Sequence, residues 1–164
     1  MKEIIARCGY RCDLCLIFKD NLKGPADRAR FRDGLLMYYK HRIALKDCYC
    51  DGCLTPDSEN PVLVTAGCPV RRCAIAKGLE NCAGCAEYPC GSLKRRFIDG
   101  RKVRARFGSP IPDEHDRAFI FPYEGRRVLD RIRKGSVTSG RGGRAHRRPC
   151  ASLSAGRRRG SRAA

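Results

Sequence analysis

The sequence predicts a small, irregular, α-rich domain stabilised by metal, with short helices and turn-rich cysteine loops, few or no strands, and a disordered C-terminal tail. Three observations predict it. Only 33 of the 164 residues are Val, Ile, Leu or Phe, about a fifth, and there is no Trp; highly charged chains near that level stop folding unaided. The chain carries 12 cysteines, the kind of supplement a thin apolar core needs. Finally, the apolar residues recur at helical spacing in short runs broken by 17 Gly and 9 Pro.

Disulfide or metal is a question of compartment. The start, Met1-Lys2-Glu3-Ile4-Ile5-Ala6-Arg7-Cys8, breaks its apolar run after three residues and does not read as an export signal. No stretch is long enough to span a bilayer. The expectation is therefore a reducing cytoplasm, where clustered cysteines read as metal ligands.

Along the chain, Leu14, Leu16, Ile17 and Phe18 suggest a short helix over 13–22, stopped by Asn21 and Gly24-Pro25. Phe31, Leu35, Tyr38, Tyr39 and Arg42 follow a 3.6-residue stripe that predicts a longer helix over 26–45. Residues 46–68 are turn-rich, with Val62-Leu63-Val64 as one strand candidate. Pro69 and Gly78 bracket a helix over 69–77. Another is expected from near Pro89, carrying Leu93, Phe97 and Ile98, and a last one over 123–134 with Val128, Leu129 and Ile132 on one face. The domain reading follows: 1–98 is the cysteine-rich unit, 99–134 a basic linker and helix packing on it, and 135–164 a disordered Arg/Gly/Ser/Ala tail.

Eleven of the cysteines lie between residues 8 and 90, spaced Cys8-x3-Cys12-x2-Cys15, Cys48-x-Cys50-x2-Cys53, Cys68-x4-Cys73 and Cys82-x2-Cys85-x4-Cys90. A C-x2-C turn points two sulfurs at one ion and lets backbone N–H groups bond to them. Three such pairs point to structural four-cysteine sites holding one or two zinc ions. The preferred grouping is Cys12, Cys15, Cys50 and Cys53 on one ion. Cys82, Cys85 and Cys90 take Cys73 or Cys68 as the fourth ligand of another, and Cys8 is unplaced. An iron–sulfur or thiol-redox protein using the same cysteines is the alternative, because soft thiolates suit both metals.

Sharper motifs do not complete. The Cys8–Cys15 spacing is that of a radical S-adenosylmethionine cluster loop, but no βα series supplies the barrel. Ferredoxin spacings are missing. A zinc knuckle at Cys82-x2-Cys85-x4-Cys90 would need a ligand at Arg95. A zinc deaminase would need H-x-E. His41, His115 and His146 read as surface residues. No nucleophile–base set, phosphate loop or carboxylate pair emerges, so an enzyme is not the favoured reading.

Cys8-Gly9-x-x-Cys12-x-x-Cys15, Cys50-Asp51-Gly52-Cys53, Arg72-Cys73-Ala74, Lys77-Gly78, Asn81-Cys82-x-x-Cys85 and Tyr88-Pro89-Cys90 together resemble the bacterial and archaeal domain of unknown function 3795. The resemblance spans roughly residues 4–98. It implies a prokaryotic, cytosolic, zinc-binding domain and supplies no reaction. Carried over, Cys8, Cys12, Cys15, Cys50, Cys53, Cys68, Cys73, Cys82, Cys85 and Cys90 match the family's cysteine positions. Cys68 lacks the close partner that family members often have, and Cys48 is extra.

The net charge is +18. Residues 135–164 hold eight Arg, no Lys and no acid, leaving 27 basic against 17 acidic residues before them, a net +10. Lys94-Arg95-Arg96 and Arg101-Lys102-x-Arg104-x-Arg106, interleaved with Phe97 and Phe107, suggest a nucleic-acid partner held through phosphates. The function expected is thus a non-catalytic module that binds another protein or a nucleic acid.

Overall fold

The computed structural model describes residues 2–138, with side chains described as far as residue 135; the tail over 139–164 lies outside the described residues. Six α-helices occur among them: α1 Pro25–Tyr39, α2 Pro69–Ala76, α3 Gly91–Lys94, α4 Gly100–Ala105, α5 Asp113–Phe119 and α6 Gly125–Thr138. Single 3-10 turns fill the spaces between. The described residues contain no extended strand, only isolated bridges pairing Ile5 with Arg11 and Phe18 with Cys50.

Local chemistry sets the elements. Pro25 opens α1 and Pro69 opens α2, each where a missing N–H costs nothing. α1 stops at Lys40 and not at Leu45, because Lys40 adopts the left-handed conformation, so that its own N–H returns to the Leu36 carbonyl and the His41 N–H to the Leu35 carbonyl. No Gly or Asn marks that stop, so the sequence conceals it. Residues 13–22 form no α-helix: a 3-10 turn at Cys12–Leu14 is followed by further turns, since that stretch is given over to cysteine geometry. Val62 to Val64 is not a strand either. Asp51 holds Val62 from two sides, its N–H donating to the Val62 carbonyl at 2.9 Å and its Oδ2 accepting the Val62 N–H at 2.7 Å. The helix expected near Pro89 is a single turn, α3, followed by α4, whose start is capped by the Asp99 carboxylate. The acidic stretch around His115 is α5, with Asp113, Glu114 and Asp116 in its first turn, where they complement the helix dipole.

Burial is divided among three small clusters. Tyr38, Val103, Ala118, Phe119 and Ile120 join α1, α4 and α5. Ile17, Phe31, Cys48 and Tyr123 form a second. The third, with Ala6, Cys8, Val70, Cys82, Ala83, Leu93 and Leu129, places α2, α3 and α6 around the first and last cysteine loops. Val128 and Leu129 are buried and Ile132 packs alongside, as the stripe on the last helix predicts. Residues 99–134 are therefore part of the packed body.

α1 and α5 meet through the absence of a side chain. Gly34 is buried in α1, and a Cβ there would fall within the Phe119 ring. Glycine in a helix is otherwise unfavourable relative to alanine by about 1 kcal/mol, so only the ring contact explains it. Gly34→Ala is expected to destabilise the fold by about 2 kcal/mol through overpacking despite the gain in helix propensity, read as a lower urea midpoint at unchanged slope.

Candidate metal centre

Ten of the cysteines face two spaces. Cys8, Cys12, Cys15, Cys50, Cys53 and Cys68 line a cavity of about 460 Å³. Cys73, Cys82, Cys85 and Cys90 line a much tighter one of about 10 Å³, closed over by Val70, Leu79 and Leu93. Cys73 thus stands with the last group, while Cys68 and Cys8 stand with the first. Cys48 belongs to neither: it is fully buried beside Ile17, Phe31 and Tyr123 and directs its thiol to the Ala44 carbonyl at 3.5 Å. None of the eleven cysteines among the described residues is in a disulfide. Among those residues, no group of three or more His, Cys, Asp or Glu side chains forms a ready-made ion site; the thiols line their cavities without converging on a point.

The loops that carry them are built alike. Cys12–Leu14 and Cys82–Gly84 are 3-10 turns closed by the N–H of Cys15 on Cys12 and of Cys85 on Cys82, at 3.0 and 3.2 Å. Cys15 and Cys85 share nearly one backbone conformation, with φ of −79° and −78° and ψ of 125° and 132°. The first turn is clamped by Asn21, whose amide donates to the carbonyls of Cys12, Asp13 and Cys15 at 3.2, 3.1 and 2.9 Å. The last is capped by Asn81, whose side-chain oxygen accepts the Ala83 N–H. In the middle loop Gly52 turns at φ +86° against the Phe18 ring and gives its N–H to the Cys50 sulfur at 3.4 Å.

Peptide N–H groups are aimed at other sulfurs as well. Tyr10 serves Cys8, Ile17 and Phe18 serve Cys15, and Arg7 serves Cys53. Such bonds favour thiolate. Burial works against them: it pushes the Cys8 thiol up to about 11 and Cys82 up to about 12, and neighbouring thiols add to both shifts. Cys12 moves in the same direction for the same reasons. Crowded, desolvated sulfurs with N–H donors in place suit a cation that would hold them ionised.

Three kinds of residue that motif spacing does not reveal complete the surroundings. The first is Tyr123, buried, with its hydroxyl 3.4 Å from the Cys15 sulfur and its ring edge-on to Tyr10 at 5.3 Å between centroids. The second is cationic. Lys77 is buried with Nζ 3.6 Å from the Cys85 sulfur and 2.9 Å from Glu87, whose carboxylate holds it charged. Arg71 is buried beside the large cavity and donates to the carbonyls of Cys53 and Thr55 at 3.2 and 2.6 Å and to Asp57. The third is a pair of glycines. A Cβ on Gly9 would strike the Gly125 carbonyl, and one on Gly125 would lie 2.5 Å from the Cys8 carbonyl. The start of α6 can therefore rest directly on the first cysteine loop.

The family model for proteins of unknown function DUF3795 matches residues 4–95. The chain belongs to this family. No curated protein and no solved structure matches it. The matched DUF3795 segment contains all ten cavity-lining cysteines, yet Arg96, Tyr123 and Gly125 reach the same site from beyond it. In this DUF3795 protein the C-terminal helices are structural neighbours of the cysteines. His41 is exposed at the rim of the large cavity, and His115 pairs its Nδ1 with the Tyr38 hydroxyl at 2.7 Å.

Arg71 ties the middle loop to α2, and its removal has a measurable consequence. Arg71→Met would strand the Cys53 and Thr55 carbonyls and is expected to cost about 2 kcal/mol. Arg71→Lys should recover little of it, because an ammonium cannot reproduce the planar fork. Denaturant midpoints of the two variants, measured on protein prepared identically to the wild type, would show the loss.

Proposed function

We propose that this protein is a non-catalytic zinc–thiolate module of a reducing compartment, in which Cys8, Cys12, Cys15, Cys50, Cys53, Cys68, Cys73, Cys82, Cys85 and Cys90 supply the ligands. The observation that carries this reading is the tight space among Cys73, Cys82, Cys85 and Cys90. Four cysteines, from a C-x2-C turn, a helix and the start of α3, are among the residues lining a space of about one water-sized sphere, and a modest inward shift of their thiols would let them meet an ion there. Soft sulfur donors in fours suit zinc. Catalytic zinc keeps an open position for water, and this pocket is walled by Val70, Leu79 and Leu93. The ion would stabilise the fold; a bound zinc would also draw off the thiol protons that burial now retains.

The larger cavity favours a second reading, an iron–sulfur protein using the same sulfurs, because its volume exceeds that of a single ion. Colour separates the two. Protein purified anaerobically is expected to be colourless and to contain zinc, with no acid-labile sulfide. A brown protein with iron and sulfide would reject the zinc reading, and a metal-free folded protein would reject both.

For a partner, the basic stretch supports phosphate contacts of a limited kind. Lys94, Arg95, Arg101, Lys102 and Arg106 are exposed. Arg104 is committed to Asp116 and Glu124 at 2.6 and 3.2 Å, and Phe97 and Phe107 pack into apolar clusters. No aromatic platform remains there for stacking bases, so a nucleic acid would be held by charge alone, and an acidic protein surface is the alternative partner. Binding to DNA or RNA is expected to be insensitive to sequence and to weaken steeply with salt. Replacing Arg101 and Lys102 with Ala should flatten that salt slope by about 2, as read by fluorescence anisotropy; no retention at low salt would leave the protein partner.

A further inference from the structure

Metal ligation, as proposed, would engage the sulfurs of the larger cavity and gives no role to its other wall. α1 supplies that wall. Phe31, Leu35 and Tyr39 follow one another at four-residue spacing and all line the cavity, and Ile43 continues the surface beyond the helix end. That spacing puts the three side chains on one stripe of the helix. Ile98 and Tyr123 join them. The hydroxyl groups that could make this surface polar are turned elsewhere: Tyr39 donates to the Phe119 carbonyl, Tyr10 donates to the Arg96 carbonyl, and Tyr123 pairs with the Cys15 sulfur. Leu63 and Val64 also line the cavity, and Val64 and neighbouring Val62 are exposed to solvent, so an apolar molecule would meet apolar side chains on its way in. A volume of about 460 Å³ is of the size that holds a small organic molecule.

Charge narrows the class of molecule. Three arginines line the cavity and, among the described residues, no Asp or Glu does. Arg11 is matched by Glu3 and Asp13, and Arg71 by Asp57. Arg96 has no such carboxylate among the described residues. Its guanidinium lies over the Tyr10 ring, 5.6 Å from the centroid, and its buried Nε has no hydrogen-bond partner there.

We propose that the larger cavity binds a small organic acid, with its apolar body against the α1 stripe and its carboxylate on Arg96. Burial of the apolar body would supply most of the affinity, and a charge-assisted bond from the guanidinium would fix its orientation. The site goes beyond the zinc reading and does not depend on which metal the thiols hold.

Octanoate titrated into the full-length protein carrying its metal tests this, with 1-octanol and octylammonium as probes of equal chain length. Octanoate is expected to bind saturably, octanol about tenfold more weakly, and octylammonium not at all. Methyl resonances of Leu35, Ile43, Leu63 and Ile98 in the wild-type protein should shift as octanoate binds. Arg96→Met should bring octanoate down to the level of octanol. Should that variant not fold, the order of the three probes and the wild-type methyl shifts still decide. Equal affinity for octanoate and octanol would show the charge of Arg96 to be spent on the thiolates and would overturn the inference. Methyl shifts confined to other parts of the protein, loss of metal as octanoate binds, or no binding would overturn it as well. The zinc reading is decided separately, by the metal content of the same protein before any probe is added.

Discussion

Ten cysteines gathered around two spaces are the constraint to which the other features of the described chain answer. The three apolar clusters are small, and two of them contain cysteine. Desolvation raises the cost of ionising thiols packed this way, while peptide N–H groups and cationic side chains are arranged to favour the ionised form. A bound cation, as proposed above, would reconcile these opposed tendencies by stabilising thiolates more strongly than burial penalises them. Loops that would be too irregular to fold on apolar contacts alone can then be held by a few strong bonds.

The arrangement also gives the residues after 95 a purpose. Their helices are not an appendage, because Tyr123 meets Cys15, Gly125 rests against the Cys8 loop, and Leu129 is buried with Cys8 and Cys82. α5 and α4 in turn hold α1 through Phe119 and Val103. The two cysteine groups adjoin where Cys8 and Cys82 share one cluster, so disturbance of one site should be felt at the other. Residues 4–95 carry the sulfurs, and the rest of the described chain closes the body around them.

Much of this is legible in the sequence. Proline and glycine place α2, the Val128, Leu129 and Ile132 stripe places α6, and C-x2-C spacing marks the loops. What escapes does so for physical reasons. Lys40 ends α1 without a residue type that advertises a left-handed turn. Residues 13–22 have a helical apolar content, yet the Asp13 and Cys15 carbonyls are committed to the Asn21 amide and the Ile17 carbonyl to the Cys50 N–H. The division of the cysteines escapes too, because spacing reports which sulfurs share a turn and says nothing of which loops meet. Cys68 stands 15 residues from Cys53 in sequence and lines the same cavity; Cys73, five residues further on, faces the other. Tyr123 belongs to no motif, so nothing in the spacing points to its contact with Cys15.

The central claim is that metal–thiolate bonds, and not apolar burial, make residues 2–138 a cooperative unit. Amide hydrogen exchange on the full-length protein, before and after stripping by a strong chelator under reducing conditions, addresses it most directly. Loss of protection throughout the cysteine loops and in α2 and α6, restored on adding zinc, is the predicted result. Unchanged protection in chelated protein with every thiol open to labelling would contradict it.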